Sequence, residues 1–412
     1  MGKELRTKAR QSSKLLGASA LLVATLGYTP TSLAGATFKI DETKWISIGA
    51  GLRTSFTATE DASPNRREWS NDFNIDNIRL YVNGQIHKYF KFEFNTDCQT
   101  CNNGGEMRVL DVIGKFEFHP MFNIWVGRML VPAERREMNG PFFSAVYNIF
   151  GAGTPFDPAD FNLTIKSDGT SAGSFGRDDG ATVWGSFFEG RLQYAAGFFR
   201  GLRGGANGDD NVLFAQRIAF NFLEVEKNPG YYTSGTYYGN AGDILTLAFS
   251  NQYQEDGAGS KSEPGDFRGT AVDLLFEKVL GNVGVITFNG EYKNYNINGY
   301  GESARLSDKI TGAKTFAMFE GNAYDVSLMY LLPNKVWIGQ FQPYARHVLV
   351  APDNSPNRDM WEAGLNYVID GHNARITLLW EYGDLLSKGL DYSSTARGKA
   401  IHSIKLGLQL QI

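Results

Sequence analysis

The sequence predicts an all-β fold, a transmembrane antiparallel barrel of about sixteen strands, on three observations. An export-type leader opens the chain, apolar and polar residues then alternate with period two, and long and short connections take turns between the alternating stretches.

In the leader, Lys3, Arg6, Lys8, Arg10 and Lys14 precede an apolar run from Leu15 to Tyr28, and Ser32-Leu33-Ala34 supplies the small residues of a cleavage site. The run is too short to span a bilayer as a helix. Residues 1–34 therefore read as a signal peptide cut before Gly35, and residues 35–412 as the barrel domain. Cleavage would remove five basic residues and one acidic one, moving the formal charge from −4 to −8. An acidic chain does not suit nucleic acid, whose phosphates need a basic surface. No later stretch holds eighteen consecutive apolar residues, so any membrane crossing must be made by strands. With 47 Gly, 13% aromatics and only two Cys, the composition fits turns and aromatic girdles better than a disulfide-stapled domain.

The first strand places Ile46, Ile48, Ala50, Leu52 and Phe56 on one face, with Ser47, Gly49, Arg53, Ser55 and Thr57 on the other. Ile78, Leu80 and Val82 oppose Asn77, Arg79 and Asn83, and Phe90, Phe92 and Phe94 oppose Lys91, Glu93 and Asn95. The pattern recurs in Leu110 to Phe118, Phe122 to Leu130, Ala181 to Phe187, Leu192 to Phe198, Phe214 to Phe222 and Leu245 to Tyr253. It continues through Val272 to Phe276, Val283 to Asn294, Tyr324 to Tyr330, Trp337 to Leu349, Trp361 to Ile369, Ala374 to Tyr382 and Ala400 to Ile412.

A soluble β-sandwich also alternates, and connection length separates the two folds. Short links at His119 to Met121, Phe188 to Gly190, Leu280 to Asn282, Pro333 to Lys335 and Asp370 to Asn373 suit periplasmic turns. Long ones at Thr59 to Asp72, Val131 to Arg177, Gln254 to Phe267, Tyr295 to Gly321, Val350 to Asp359 and Leu385 to Lys399 suit external loops. Glu224 to Asp243 breaks the rule, as either a long periplasmic excursion or a hairpin inside Tyr231 to Tyr238. Trp45, Phe73, Trp125, Tyr194, Tyr253, Trp337, Trp361, Trp380 and Tyr382 fall where aromatic girdles meet lipid headgroups.

The third long loop, Val131 to Arg177, mixes charge with stiff turns and is expected to fold into the lumen. Its Glu134, Arg135, Arg136, Glu137 and Asp157 are the candidate constriction. The polar faces add Arg53, Arg79, Lys91, Lys115, Arg191, Arg217, Arg346, Arg375, Asp111, Glu117, Asp273, Glu362 and Glu381 as pore-lining candidates. Cys98 and Cys101 form a lone Cys-x-x-Cys without the extra ligands of a haem or zinc site, so a local disulfide is expected, with a redox role as the alternative. Neither metal nor cofactor is expected, and scattered His residues with no nucleophile motif point away from an enzyme.

At Asn228-Pro229-Gly230-Tyr231-Tyr232-Thr233-Ser234-Gly235-Thr236-Tyr237-Tyr238-Gly239, at Trp125-Val126-Gly127-Arg128 and at Gly364 to Ile369 followed by Ala374 to Leu378, the chain resembles the phosphate-selective porin O/P family. The resemblance implies a homotrimeric sixteen-stranded channel in a Gram-negative outer membrane, passing anions or phosphate by a basic constriction to which Arg135 and Arg136 are nearest. It also implies membrane lipid as a partner and insertion by the barrel-assembly machinery, although the chain ends on Ile412 where such proteins usually carry an aromatic residue. The functional expectation is passive diffusion of small hydrophilic solutes; a barrel scaffolding a partner protein, or a membrane-embedded enzyme, is the alternative.

Overall fold

Alternation of this kind gives every strand one apolar and one polar face, and in lipid an open sheet edge would leave a row of backbone groups unpaired. The computed structural model, which describes residues 35–99, 101, 105–149, 164–165, 171–172, 175–298, 320–353, 357–385 and 400–412, meets both demands by closure. The barrel strands begin with β1 (Trp45–Thr59), β2 (Asp72–His87), β3 (Phe90–Gln99), β4 (Arg108–His119) and β5 (Phe122–Leu130). After the third loop come β6 (Arg177–Phe187), β7 (Leu192–Phe199), β8 (Leu213–Asn221), β9 (Ile244–Gly259), β10 (Pro264–Val279) and β11 (Val285–Asn298). The circuit ends with β12 (Gly321–Leu331), β13 (Gln340–Pro352), β14 (Arg358–Asp370), β15 (Ala374–Gly383) and β16 (Ile401–Gln411).

Each strand pairs antiparallel with the next, and β16 closes on β1 with Leu410 opposite Leu52. A short strand, Ala36–Lys39, occupies the same edge of β1 below the C-terminus, so the seam runs on where β16 stops. Ile412 and Ala50 exchange two hydrogen bonds of 2.9 Å there.

Polarity is inverted relative to a water-soluble domain. Leu80 and Leu406 are 41% and 50% exposed, whereas Arg79 and Arg346 are only 6% and 2% exposed. The apolar face points outward and the charges point in, as a barrel with a polar lumen requires.

Several local expectations need correction. Gln254 to Phe267 is mostly strand, since β9 and β10 continue past a bulge between Gln254 and Ala258 to a turn at residues 260–263. Asp256, at φ +53°, donates its backbone N–H to Asp266 at 3.0 Å, an arrangement that lets polar residues extend the hairpin. Trp337 lies in a turn, not a strand; its φ is +59°, Val336 and Gly339 bond across it, and β13 starts at Gln340. Trp125 faces inward with no exposed surface, because its place on β5 shares the phase of Asn123 and not that of Val126. Glu224 to Asp243 is a long excursion without a hairpin of its own. Residues 1–34, where a signal peptide is expected, Asp157 and much of the connections between β11 and β12 and between β15 and β16 lie outside the described residues.

Candidate functional site

A lumen lined by charged side chains is stable only when those charges and the loop backbone crossing it find partners. The third loop leaves β5 and forms a short helix, α1 (Arg135–Phe143), kinked at Gly140, where φ is +58°. Helix formation was not legible from the compact-turn composition of this loop.

The loop is held round most of the wall. Arg217 on β8 donates to the Ala133 carbonyl at 2.9 Å, and Glu134 pairs with Lys293 on β11. The backbone N–H of Arg135 reaches Asp273 on β10 at 3.1 Å. The N–H of Arg136 reaches Glu291 on β11 at 2.6 Å, and its guanidinium reaches Asp325 on β12 at 2.6 Å. Beyond the kink the backbone is irregular, and its carbonyls are met by buried arginines. Arg375 on β15 donates to Ser144 and Ala145 at 2.9 and 3.1 Å, Arg346 on β13 to Ile149 at 2.9 Å, and Arg53 on β1 to Tyr147. Asn148 donates to Glu381 on β15 at 2.6 Å. A segment bonded to strands on so many sides crosses the interior.

A second segment meets it from the other end. Residues 222–243, between β8 and β9, stand at the end of the barrel where the other connections are short, and they fold into the barrel. The last carbonyls of a helix lack intrahelical partners. Here the N–H of Thr233 reaches Met138 at 3.3 Å and that of Gly235 reaches Phe143 at 2.8 Å. Glu226 takes both ends of the Arg135 guanidinium, and Tyr231 donates to the Leu130 carbonyl at 2.6 Å. Two glycines permit the approach. At Gly230, φ is +60° and a Cβ would lie 2.3 Å from the Trp125 ring; at Gly235 it would lie 2.6 Å from the backbone nitrogen of Ala145. Trp125, Met129, Leu130, Met138, Phe199 and Tyr231 form an apolar core inside the barrel at this junction.

The two segments divide the lumen unequally. On the β11–β13 side of α1, a cavity of 30 Å³ is lined in part by Arg136, Glu291, Asp325 and Arg346. On the β2–β4 side, a cavity of 100 Å³ remains between the wall and α1, and it shares Asn228 with a vestibule of 530 Å³. The 100 Å³ space between the β2–β4 wall and α1 is called the crescent below.

Among the sequence candidates, Arg53, Arg79, Lys115, Arg217, Arg346, Arg375, Asp111, Asp273, Glu362 and Glu381 are all buried and inward. Only Arg79 and Asp111 line the crescent; Arg53, Arg217, Arg346, Arg375 and Glu381 hold the third loop. Lys91 and Glu117 form a half-buried pair at 2.5 Å. Arg191 is exposed in the β6–β7 turn and donates to the carbonyls of Asn221, Phe222 and Leu223, so it braces the connection instead of lining the wall. Glu137 is buried on α1. Cys98 and Cys101 are joined by a disulfide where β3 ends. Arg177, Lys293, Glu291 and Asp325 were not singled out, although the strand phase already places the last three inward. Glu226 had no such signal.

Comparison with protein-family models and with curated proteins finds no match. Solved structures do match. The trimer form of OmpT, an outer-membrane protein of Vibrio cholerae, aligns at TM-score 0.51 and 11% identity over 90% of this chain and 100% of its own. The anion-selective porin from Comamonas acidovorans aligns at TM-score 0.58 and 10% identity over 90% and 100%. Salmonella typhi OmpF, in complex with daunomycin, aligns at 0.50 and 12% over 92% and 100%. The phosphate-selective family finds no support in these matches, whose identities speak to fold alone. A closed sixteen-strand antiparallel barrel aligned over nearly its whole length with porins has the general porin fold.

Proposed function

We propose that the protein is an outer-membrane porin that lets small hydrophilic solutes diffuse passively through the crescent beside α1. The observation that carries this reading is the inverted barrel itself, apolar outside and charged inside, with a cavity of 100 Å³ left beside the loop. A signal peptide at residues 1–34 supports export, and the apolar outer face supports lipid as its surroundings and the barrel-assembly machinery as its route of insertion. The trimer form of the Vibrio cholerae neighbour supports a homotrimer.

On this reading sign selectivity is weak. Arg135 is within reach of Glu226 and Asp273, and Arg136 of Glu291 and Asp325, so neither offers an uncompensated positive charge to phosphate. A scaffold threading a partner protein is disfavoured, because α1 and residues 226–239 occupy the space a guest would need. The test is purified protein in a planar bilayer under a salt gradient. Stepwise conductance with a reversal potential near zero supports the reading, and absence of conductance would overturn it.

A further inference from the structure

The crescent has two unlike walls. On the barrel side, Arg79, Glu93, Asp111 and Arg177 line it, two cations and two carboxylates. Each belongs to an ion pair: Arg79 with Asp97 at 3.1 Å, Glu93 with Lys115, and Arg177 with Asp111 at 2.9 Å. On the opposite side, Met138 and Phe143 of the third loop and Tyr232 of the inserted connection supply apolar surface. The vestibule also carries both signs of charge, with Lys88, Lys227, Glu117 and Glu226 in its lining.

A simple anion in this crescent meets arginines already neutralised by carboxylates, and a simple cation meets carboxylates already neutralised by bases. A solute carrying both charges a few ångströms apart bonds to both members of a pair without leaving either uncompensated. Its remaining bulk then lies against the apolar wall, the usual division of labour in a small-molecule pocket.

We infer that the crescent is a binding site for small zwitterions with an apolar side chain, the chemistry of a free aliphatic amino acid. This inference rests on the channel reading and deepens it, since the same passage that conducts ions holds the solute. Arg177 and Asp111 bind the carboxylate and the ammonium, and Met138 and Phe143 cover the side chain.

The experiment uses the full barrel in a planar bilayer at pH 7, with three probes that share a branched four-carbon frame: L-valine, isovalerate and isobutylammonium. L-valine should reduce the ion current at about tenfold lower concentration than either singly charged probe, the equivalent of one charge-assisted hydrogen bond. Replacing the pair together, Arg177→Gln with Asp111→Asn, should bring L-valine down to the level of the other two, each inhibition being read against the variant's own current. Equal inhibition by isovalerate, or normal current untouched by all three probes, overturns the inference and leaves the channel standing. Absence of any current overturns the channel reading as well. Should the double variant fail to insert, the matched probes on the unaltered protein still decide.

Discussion

Arg135 on α1 and Glu226 on the β8–β9 connection meet inside the barrel through two bonds, Nη1 to Oε2 at 2.7 Å and Nη2 to Oε1 at 2.6 Å. The loop that enters from one end is thereby tied to the segment that enters from the other. Removing one member of a buried pair strands the other charge, at a cost of roughly 3–5 kcal/mol. Asp273 remains 3.3 Å from Arg135 and softens the loss, so Glu226→Ala should sit at the low end of that range. Heat unfolding in detergent should show a lower midpoint, and single-channel recordings should show more open-state noise. Glu226→Gln, which keeps one acceptor, should fall between.

Trp125 should matter more to stability than a membrane-facing aromatic does. It packs edge-on to Trp184 and Tyr232 at ring distances of 5.3 and 5.5 Å and donates to Glu117 at 3.2 Å. Trp125→Ala should cost about 3–5 kcal/mol, the usual result of emptying a packed aromatic site. Substituting Trp361, which is 53% exposed on the outer face, should cost much less. Denaturant unfolding of both variants compares them directly.

Stability should also depend on pH through His372, in the β14–β15 turn. Its Nε2 lies 3.0 Å from the Ser234 hydroxyl and 2.9 Å from the Thr236 carbonyl. Burial, followed by the nearby Arg375 charge, pushes the imidazolium from its ordinary 6.5 down to about 3. The unfolded chain therefore takes up this proton first, and the contribution is full above pH 6.5 and is lost as pH falls toward 3. The size is on the order of a few kcal/mol at most, reduced by the ring's partial exposure. Melting at pH 7.5 and 4.5 should show a smaller drop for His372→Gln than for the unaltered protein.

Strand count and phase are readable because period-two alternation holds wherever one face of a strand is apolar and outward and the other polar and inward. Where both faces of a strand are polar that pattern lapses, and so the sequence reads as loop where β9 and β10 continue past the bulge. Trp125 was misassigned because an aromatic near a strand end suits either an outer girdle or an inner core, and only the phase set by Asn123 separates them. In the third loop, residues 133–149 meet Arg53, Arg217, Arg346 and Arg375, contacts that the loop's composition does not spell out. The β8–β9 connection stood out only by its length. Its inward course depends on Glu226 meeting Arg135 and on Gly235 fitting beside Ala145, pairings between segments about ninety residues apart that no local pattern encodes.

The central claim is a diffusion channel narrowed by two segments that meet in its middle. The most direct measurement is single-channel conductance of the full protein beside a variant in which residues 228–239 are replaced by a short glycine-serine link. The account predicts discrete steps for both, clearly larger in the variant, because the floor of the crescent is gone. Discrete steps of equal size, or none from the full protein, would contradict it.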